Sequence, residues 1–250
     1  MSRIWHDVGG AQVVCHIDGR GFRLVESQET VATTEIVSTL EHQVILEEML
    51  DADSKPRYRP GTEQLHYLLS TPFRYPPLPH GSRFGGRFEP SLFYGGTSEQ
   101  VTLCENAYYR LFFYHDMGVP PPHRQLRSQH TLFEFLYETG KGARLQAPPF
   151  DAWHDTLCHP ADYSETQALG SAMRESGIEG FEYRSARDPA GGINVALFDA
   201  VSFSSDRPRN ERSCLCQTTD REVTFSLQRK AIRFPLDQFL VEGVLPNPAL

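Results

Sequence analysis

Residues 98–118, SEQVTLCENAYYRLFFYHDMG, contain the signals of one complete amphipathic helix. Ser98 is a residue type that accepts hydrogen bonds from the first backbone N–H groups of a helix, and Gly118 is typical of the position that follows one. Glu105 has apolar or aromatic side chains four residues before it and three, four and seven residues after it. Because positions with these spacings share a helix face, the pattern places the Glu105 carboxylate on the apolar face of a helix over 98–118.

A carboxylate on an apolar helix face needs a partner, because an unpaired buried charge is strongly unfavourable. The partner can be an arginine, a hydroxyl group or a ligand in a cleft. The alternative to a functional role is a structural ion pair with an arginine, or a carboxylate at the helix edge that reaches solvent. The helix by itself leaves these interpretations open.

Residues 72–88, PFRYPPLPHGSRFGGRF, concentrate positive charge in a chain whose formal net charge is −8. Arg74, Arg83 and Arg87 lie here without any acidic side chain. The prolines predict an extended backbone over 73–79, and the glycines after it permit tight turns and close approach to a ligand. Guanidinium groups bind phosphate through paired hydrogen bonds, so three converging arginines predict a pyrophosphate site. A solvated surface loop is the alternative interpretation.

Residues 179–198, EGFEYRSARDPAGGINVALF, place Ser185 directly after a strand-like segment. A hydroxyl group at a strand end can face a cleft and orient a ligand. It can equally be a turn residue that bonds its own backbone. Both interpretations of Ser185 stay open at this point.

The remaining pattern predicts an α+β fold. Further helices are predicted over 30–50, where apolar residues recur at helical spacing, and over 165–176, which Gly177 closes. Residues 203–210 are polar and predict a surface loop. Short segments rich in β-branched and aromatic residues, bounded by Gly, Pro or Asp, predict strands over 92–94, 132–137, 181–183, 193–198 and 223–227.

Composition limits the possible functions. The chain has 250 residues, 39% of them hydrophobic, which suffices for a sizeable core. No apolar run is long enough for a membrane span, and the first residues, MSRIWHDVGG, lack the layout of a secretory signal. Five scattered cysteines suit a reducing compartment, so we expect a cytoplasmic protein without membrane contact. The acidic charge balance argues against direct binding of nucleic acid.

Common motifs of nucleotide-binding and hydrolytic enzymes are missing, since the sequence has no G-x-x-x-x-G-K-[ST] loop and no G-x-S-x-G elbow. His154, Cys158 and His159 lie close together, and Cys214 with Cys216 forms C-x-C. Neither group has a standard zinc spacing. We therefore expect no bound metal.

Taken in order, the segments FRYPPLPHGSRFGGRF, FYGG, CENAYYRLFF, YRSAR and GGINVALF resemble the RES-domain family, named for its arginine, glutamate and serine. The resemblance covers about residues 67–203. It implies an ADP-ribosyltransferase-like fold with a split β-sheet core and flanking helices. It also implies a partly helical N-terminal extension over 1–62 and an NAD-binding catalytic domain over 63–250.

The resemblance assigns roles to individual residues. Glu105 matches the family's glutamate, Ser185 its serine, Arg74 its NAD-binding arginine and Tyr94 its tyrosine, and these four form the implied catalytic set. Tyr75 remains a rival of Tyr94, because Gly95 and Gly96 stand where the family more usually has an apolar and a small residue. The residues implied to bind NAD⁺ are Arg74, Tyr75, Arg83, Arg87, Tyr94 and Ser185.

The implied activity is cleavage of the nicotinamide–ribose bond of NAD⁺, with ADP-ribose passing to a protein, to phosphate or to water. Cleavage builds positive charge on the ribose, which the Glu105 carboxylate would stabilise. Family members usually act as the toxin whose partner is an Xre-like antitoxin. The alternative is a catalytically inactive RES-like module that acts only through protein partners.

Overall fold

The computed structural model describes residues 2–27, 39, 41, 42, 45 and 56–248. The helix predicted over 30–50 therefore lies outside the described residues, apart from isolated positions. The described helices are α1 (Arg3–Asp7), α2 (Tyr67–Arg74), α3 (Glu99–His115), α4 (His154–Leu157) and α5 (Ser164–Glu175). The described strands are β1 (Cys15–Glu26), β2 (Phe93–Gly96), β3 (Gln125–Arg144), β4 (Gly180–Arg184), β5 (Ile193–Leu197), β6 (Arg209–Thr219), β7 (Glu222–Leu227) and β8 (Lys230–Pro235).

These eight strands form one mixed sheet in the order β1-β2-β5-β4-β3-β6-β7-β8. The pairing of β3 with β4 is parallel, and the other pairings are antiparallel. Because β1 also pairs with β3, the five strands β1, β2, β5, β4 and β3 close into a ring, from which β6, β7 and β8 extend. The predicted α+β class is confirmed.

Strand β1 is a part of this sheet that the sequence analysis did not predict. It pairs with β3 from Cys15↔Gly142 to Glu26↔His130. Glycine is depleted in strands, so Gly19 and Gly21 hide the strand signal. A Cβ at Gly21 would lie 2.2 Å from the Phe135 ring. Glycine at this position therefore leaves the space in which the Phe135 ring packs over β1. The division of the chain near residue 62 stays a prediction.

Helix α3 follows the predicted pattern closely. The Ser98 hydroxyl accepts from the backbone N–H of Val101 at 3.3 Å, as an N-cap should. The helix ends at His115, before the predicted stop at Gly118. Its buried face carries Leu103, Ala107 and Leu111, and the helix packs on β1, β6 and β7. Helix α5 matches its prediction to within one residue at each end.

All five predicted strands are present, but the structure corrects several boundaries. β3 is 20 residues long, far beyond the predicted 132–137. The predicted loop over 203–210 ends in β6, which begins at Arg209, and neither β6 nor β8 was predicted. None of the helices in the described parts of the chain has the length and apolarity that crossing a bilayer requires.

Residues 73–74 were predicted to be extended and are instead the end of helix α2. Pro72 lies inside this helix, whose buried face carries Leu68, Leu69 and Phe73. Burial of that apolar face outweighs the hydrogen bond that Pro72 cannot donate. Arg74 is thereby fixed at a helix end, which decides where its guanidinium points.

Candidate active site

A cavity of about 290 Å³ opens between helix α3 and the ring of strands. Its walls come from β1, the loop before β2, β2 itself, α3, β4 and β5. It brings together three of the residues predicted for the site, Arg83, Tyr94 and Glu105. The polar and aromatic lining side chains are Arg23, Ser82, Arg83, Tyr94, Thr102, Glu105, Asn106, Tyr109, Tyr183 and Asn194.

Glu105 is held in this cavity by two hydrogen bonds to a single carboxylate oxygen. The Ser185 hydroxyl donates to Oε1 at 2.6 Å, and the Asn194 side-chain amide donates to Oε1 at 2.7 Å. These bonds satisfy one side of the carboxylate and leave the lone pairs of Oε2 unused by them. Of the arginine, hydroxyl group or ligand expected as a partner of Glu105, the described contacts show a hydroxyl group, that of Ser185, together with the Asn194 amide.

Ser185 lies after the end of β4 and joins the turn that follows to Glu105. Its backbone N–H donates to the Gly192 carbonyl at 2.8 Å. Its hydroxyl oxygen accepts from the backbone N–H groups of Arg187 at 3.1 Å and Asp188 at 3.0 Å. Because these N–H groups occupy the acceptor side of the hydroxyl, its proton points to Glu105. Ser185 therefore has the backbone contacts of a turn residue and also bonds Glu105, and its role in catalysis and NAD⁺ binding stays a prediction.

Arg83 is the predicted arginine that reaches the cavity. It is buried, and its guanidinium donates to the carbonyls of Leu157 at 3.2 Å and His159 at 2.9 Å. It also lies 4.3 Å from the centre of the Tyr163 ring. Burial alone would lower the pKa of Arg83, but nearby Tyr163 and Glu105 raise it above its usual value. Arg83 therefore places a fixed positive charge near Glu105.

Arg23, on β1, is a second cationic residue in the cavity and was not predicted. Its guanidinium donates to the Tyr94 carbonyl and lies 4.7 Å from the centre of the Phe93 ring. Burial lowers its pKa to about 10, so it stays charged at neutral pH. The Arg23 Nε is buried and has no hydrogen-bond partner among the described residues.

Tyr94 connects the loop before β2 to the sheet through the hydrogen bonds of its hydroxyl group. Its hydroxyl accepts from the Phe84 backbone N–H at 3.2 Å and lies 2.9 Å from the Ser82 hydroxyl. Burial raises the pKa of Tyr94 to about 12, so this hydroxyl stays neutral. Tyr94 therefore fixes Ser82 and Phe84 on either side of Arg83.

A second cavity of about 300 Å³ adjoins the first. The two cavities share Arg23, Ser82 and Tyr94 in their walls. The second wall is otherwise uncharged and rich in proline and glycine, and it includes Tyr75, Pro76 and Leu92. Tyr75 and Tyr94, the two rivals for one role, thus both line the second cavity, and of the two Tyr94 alone also lines the first.

The three predicted arginines do not converge. Arg74, at the end of α2, donates to the Pro56 carbonyl and lies 4.2 Å from the centre of the Tyr58 ring. Arg87 is exposed and lies 4.6 Å from the centre of the Phe88 ring. Neither lines the cavity of Glu105. The end of helix α2 places Arg74 outside this cavity, and the turn after Arg83 places Arg87 outside it. Binding of NAD⁺ by these two arginines stays a prediction.

Gly95 and Gly96 let β2 approach its neighbours at the cavity wall. A Cβ at Gly95 would lie 2.6 Å from the Phe135 ring. A Cβ at Gly96 would lie 2.5 Å from Thr102 Oγ1 and 2.9 Å from the Thr102 backbone nitrogen. The contact between β2 and α3 therefore requires glycine at position 96.

Sequence analysis missed Arg23 and Asn194 for different reasons. Arg23 lies far from the other site residues in the chain, and only the pairing of β1 brings it there. Asn194 is the one polar side chain of the apolar strand INVAL. Because a buried amide must be hydrogen-bonded, the sequence could have indicated Asn194 as a candidate site residue.

No cluster of three or more metal-ligating side chains occurs in the part of the chain that the structure describes. Cys158 Sγ lies 3.6 Å from His154 Nδ1, which is a contact between two residues only. The cysteines within the described ranges are all free.

No curated protein matches the chain. Among solved structures, a chain of the crystal structure of the M. tuberculosis MbcT–MbcA toxin–antitoxin complex is similar at 10% identity with a TM-score of 0.45, over 88% of this chain and 86% of that one. The RES domain matches residues 56–224, which is more than half of the sequence and includes Arg83, Glu105, Ser185 and Asn194. The chain therefore belongs to the RES-domain family.

Proposed function

We propose that this protein is an NAD⁺-consuming enzyme that acts as the toxin of a toxin–antitoxin pair. The observation that carries the proposal is the Glu105 carboxylate, which two donors orient in a cavity that also contains the charged Arg23 and Arg83. The fixed carboxylate can stabilise the positive charge that develops on the ribose of the substrate. The arginines beside it can bind the negatively charged pyrophosphate.

Binding uses the two adjoining cavities. The nicotinamide riboside half lies in the cavity of Glu105, and the adenosine half lies in the proline-rich cavity that includes Tyr75. The pyrophosphate then lies where the cavities meet, beside the guanidinium of Arg23, which lines both of them. Arg74 and Arg87, which the family resemblance assigns to this task, are tested together with Arg23 below.

The chemistry is cleavage of the bond between ribose C1′ and the nicotinamide nitrogen. The bonding electron pair leaves with nicotinamide, and positive oxocarbenium charge develops on the ribose. The Glu105 carboxylate stabilises this charge more strongly than it stabilises the bound ground state, which accelerates the reaction. An acceptor oxygen or nitrogen then bonds to C1′ and loses its proton. The acceptor is a protein side chain, phosphate or water.

The family resemblance supplies the biological context of the proposal. It implies an ADP-ribosyltransferase-like fold and an Xre-like antitoxin that neutralises the toxin. The positively charged wall of the site favours an antitoxin segment that presents a carboxylate to Arg23 and Arg83. The proposed steps require no metal.

The variant Glu105→Gln tests the proposal. The amide keeps the size of the side chain and loses its charge, so we expect release of nicotinamide from NAD⁺ to fall by about 10²–10⁴-fold. The measurement is chromatography of free nicotinamide after incubation with NAD⁺, with thermal unfolding to show that the variant is folded.

The matched control is Glu175→Gln, which makes the same change at an exposed position at the end of α5 and should keep full activity. Radiolabel from NAD⁺ on a protein would identify a transferase, whereas free ADP-ribose or its phosphate would identify the small acceptors. An unchanged NAD⁺ pool with the folded wild-type protein would contradict the proposal and favour the inactive binding module.

A further inference from the structure

Asn194 is a buried polar residue in the middle of the sheet. It lies on β5, opposite Gly96 of β2 on one side and Tyr183 of β4 on the other. It is 3% exposed, and the neighbouring Val195, Ala196 and Leu197 are fully buried apolar residues. A buried amide costs free energy unless it is hydrogen-bonded. Its Nδ2 donates to Glu105 Oε1 across the cavity at 2.7 Å.

The two donors to Glu105 approach the same oxygen from different elements. Ser185 belongs to the turn after β4, and Asn194 belongs to β5, whereas Glu105 belongs to α3. One hydrogen bond would leave the carboxylate free to rotate about its last torsion, which is broad for glutamate. Two donors on Oε1 fix that torsion, and with it the direction of Oε2.

We propose that Asn194 is a positioning residue that, together with Ser185, aims Glu105 Oε2 into the cavity. The inference rests on the proposed function for its catalytic meaning, but its structural part can be tested without activity. The direction of the carboxylate that the reaction needs is therefore maintained by a strand residue that need not touch the substrate.

Other charged and titratable groups also lie around Glu105. They come from every element that packs against it: Arg23 on β1, Arg83 before β2, Tyr94 on β2, Tyr109 on α3, Tyr183 on β4, and Arg187 and Asp188 after β4. The test must therefore change Asn194 alone and leave these groups in place.

The first test compares Asn194→Ala with the wild type in steady-state kinetics. We expect kcat to fall about tenfold or more while KM changes by less than about threefold, because an aimed carboxylate matters mainly in the transition state. A purely structural role would lower the amount of active protein and leave kcat per active molecule unchanged.

The second test uses Asn194→Asp, which keeps the shape and replaces the donor with a second carboxyl group. At high pH the carboxylates at positions 105 and 194 lie next to each other and repel. One of the two therefore binds a proton more tightly in the folded state than in the unfolded chain, so folding raises its pKa. A group whose pKa is raised by folding loses its stabilising contribution as pH rises. We therefore expect the melting temperature of Asn194→Asp, relative to wild type, to fall steadily from pH 5 to pH 8.

The double variant Glu105→Gln/Asn194→Asp exchanges donor and acceptor. The amide introduced at position 105 can donate to the carboxylate introduced at position 194, so the pH-dependent loss of melting temperature should disappear. Asn210→Asp, at an exposed position near the start of β6, is the matched control and should behave like wild type. Equal pH dependence of stability in Asn194→Asp and the double variant would overturn the inference.

These outcomes separate the inference from the proposed function. A wild-type protein that leaves NAD⁺ intact contradicts the proposed function, and the melting curves still decide whether Asn194 and Glu105 are coupled. If the wild type is active and Glu105→Gln is inactive, but Asn194→Ala has the kcat of the wild type, the inference alone is overturned.

Discussion

Arg23 and Arg83 differ in how far the protein already satisfies their guanidinium groups. Arg83 donates to two carbonyls and to the Tyr163 hydroxyl, so much of its hydrogen-bonding capacity is used within the fold. Arg23 donates to the Tyr94 carbonyl, and its buried Nε has no partner among the described residues. Arg83 thus acts mainly as a fixed charge, and Arg23, which lines both cavities, is the arginine placed to bind a phosphate.

The variant Arg23→Ala should therefore weaken NAD⁺ binding. Hydrogen bonds to charged groups contribute roughly 1.5–3 kcal/mol, so we expect Kd to rise by about tenfold or more. Arg23→Lys should recover only part of the loss, because an ammonium group lacks the two-pronged geometry. Calorimetry in the Glu105→Gln background measures the affinity without consuming the NAD⁺.

Arg221→Ala, an exposed arginine between β6 and β7, is the control and should keep wild-type affinity. The same titration on Arg74→Ala and Arg87→Ala tests the roles that the family resemblance assigns. A large loss at Arg74 with none at Arg23 would reject the position of the pyrophosphate proposed above.

At the scale of elements, the site depends on how closely β2 can approach α3. Gly96 is the point of contact, since a Cβ there would overlap Thr102. Thr102 lies one helical turn before Glu105, and its hydroxyl donates to the Phe22 carbonyl of β1 at 3.2 Å and to the Ser98 carbonyl at 2.8 Å. Displacing this turn would therefore displace the carboxylate.

We predict that Gly96→Ala destabilises the protein by about 1–3 kcal/mol, the usual cost of overpacking a well-packed interior. It should also lower kcat, because Glu105 moves with α3. Gly140→Ala is the control: it is also a strand glycine, but nothing lies within 4 Å of its added Cβ. Equal melting temperatures for the two variants would show that the contact between β2 and α3 is not tight.

At the scale of the whole molecule, the residues matched by the RES domain do not include all of the sheet. The match covers 56–224, whereas β1 lies before it and β8 after it. β1 pairs along β3 for most of its length and supplies Arg23 to the cavity. The C-terminal segment also packs on α3, where the Tyr108 hydroxyl donates to the Pro246 carbonyl at 2.5 Å.

A fragment that begins at residue 63, the predicted start of the catalytic domain, should therefore fail to form the native sheet. It would expose the edge of β3 and the apolar side chains that β1 covers, including Phe133 and Phe135. We expect the fragment to be aggregated or to lack a cooperative thermal transition, whereas the full chain unfolds cooperatively. A soluble, cooperatively folded fragment that cleaves NAD⁺ would support the division near residue 62.

The sequence by itself determined the parts of this protein that depend on local periodicity and capping. Helix α3 followed from its apolar stripe and Ser98, and helix α5 from its pattern and Gly177, because helix signals act within a few residues. The family was also recognisable from motif order alone. Glu105 could be singled out as a carboxylate on an apolar face, but its partners could not.

Only the tertiary structure decided which residues meet that carboxylate. Asn194 and Ser185 reach Glu105 because β4 and β5 pair beside α3, and Arg23 reaches the same cavity because β1 pairs with β3 across more than a hundred residues of chain. The sequence predicted that Arg74 and Arg87 converge with Arg83. A helix end and an exposed turn instead place these two arginines outside the cavity of Glu105. Pairing between distant strands is set by the burial of whole faces, and no local pattern records it.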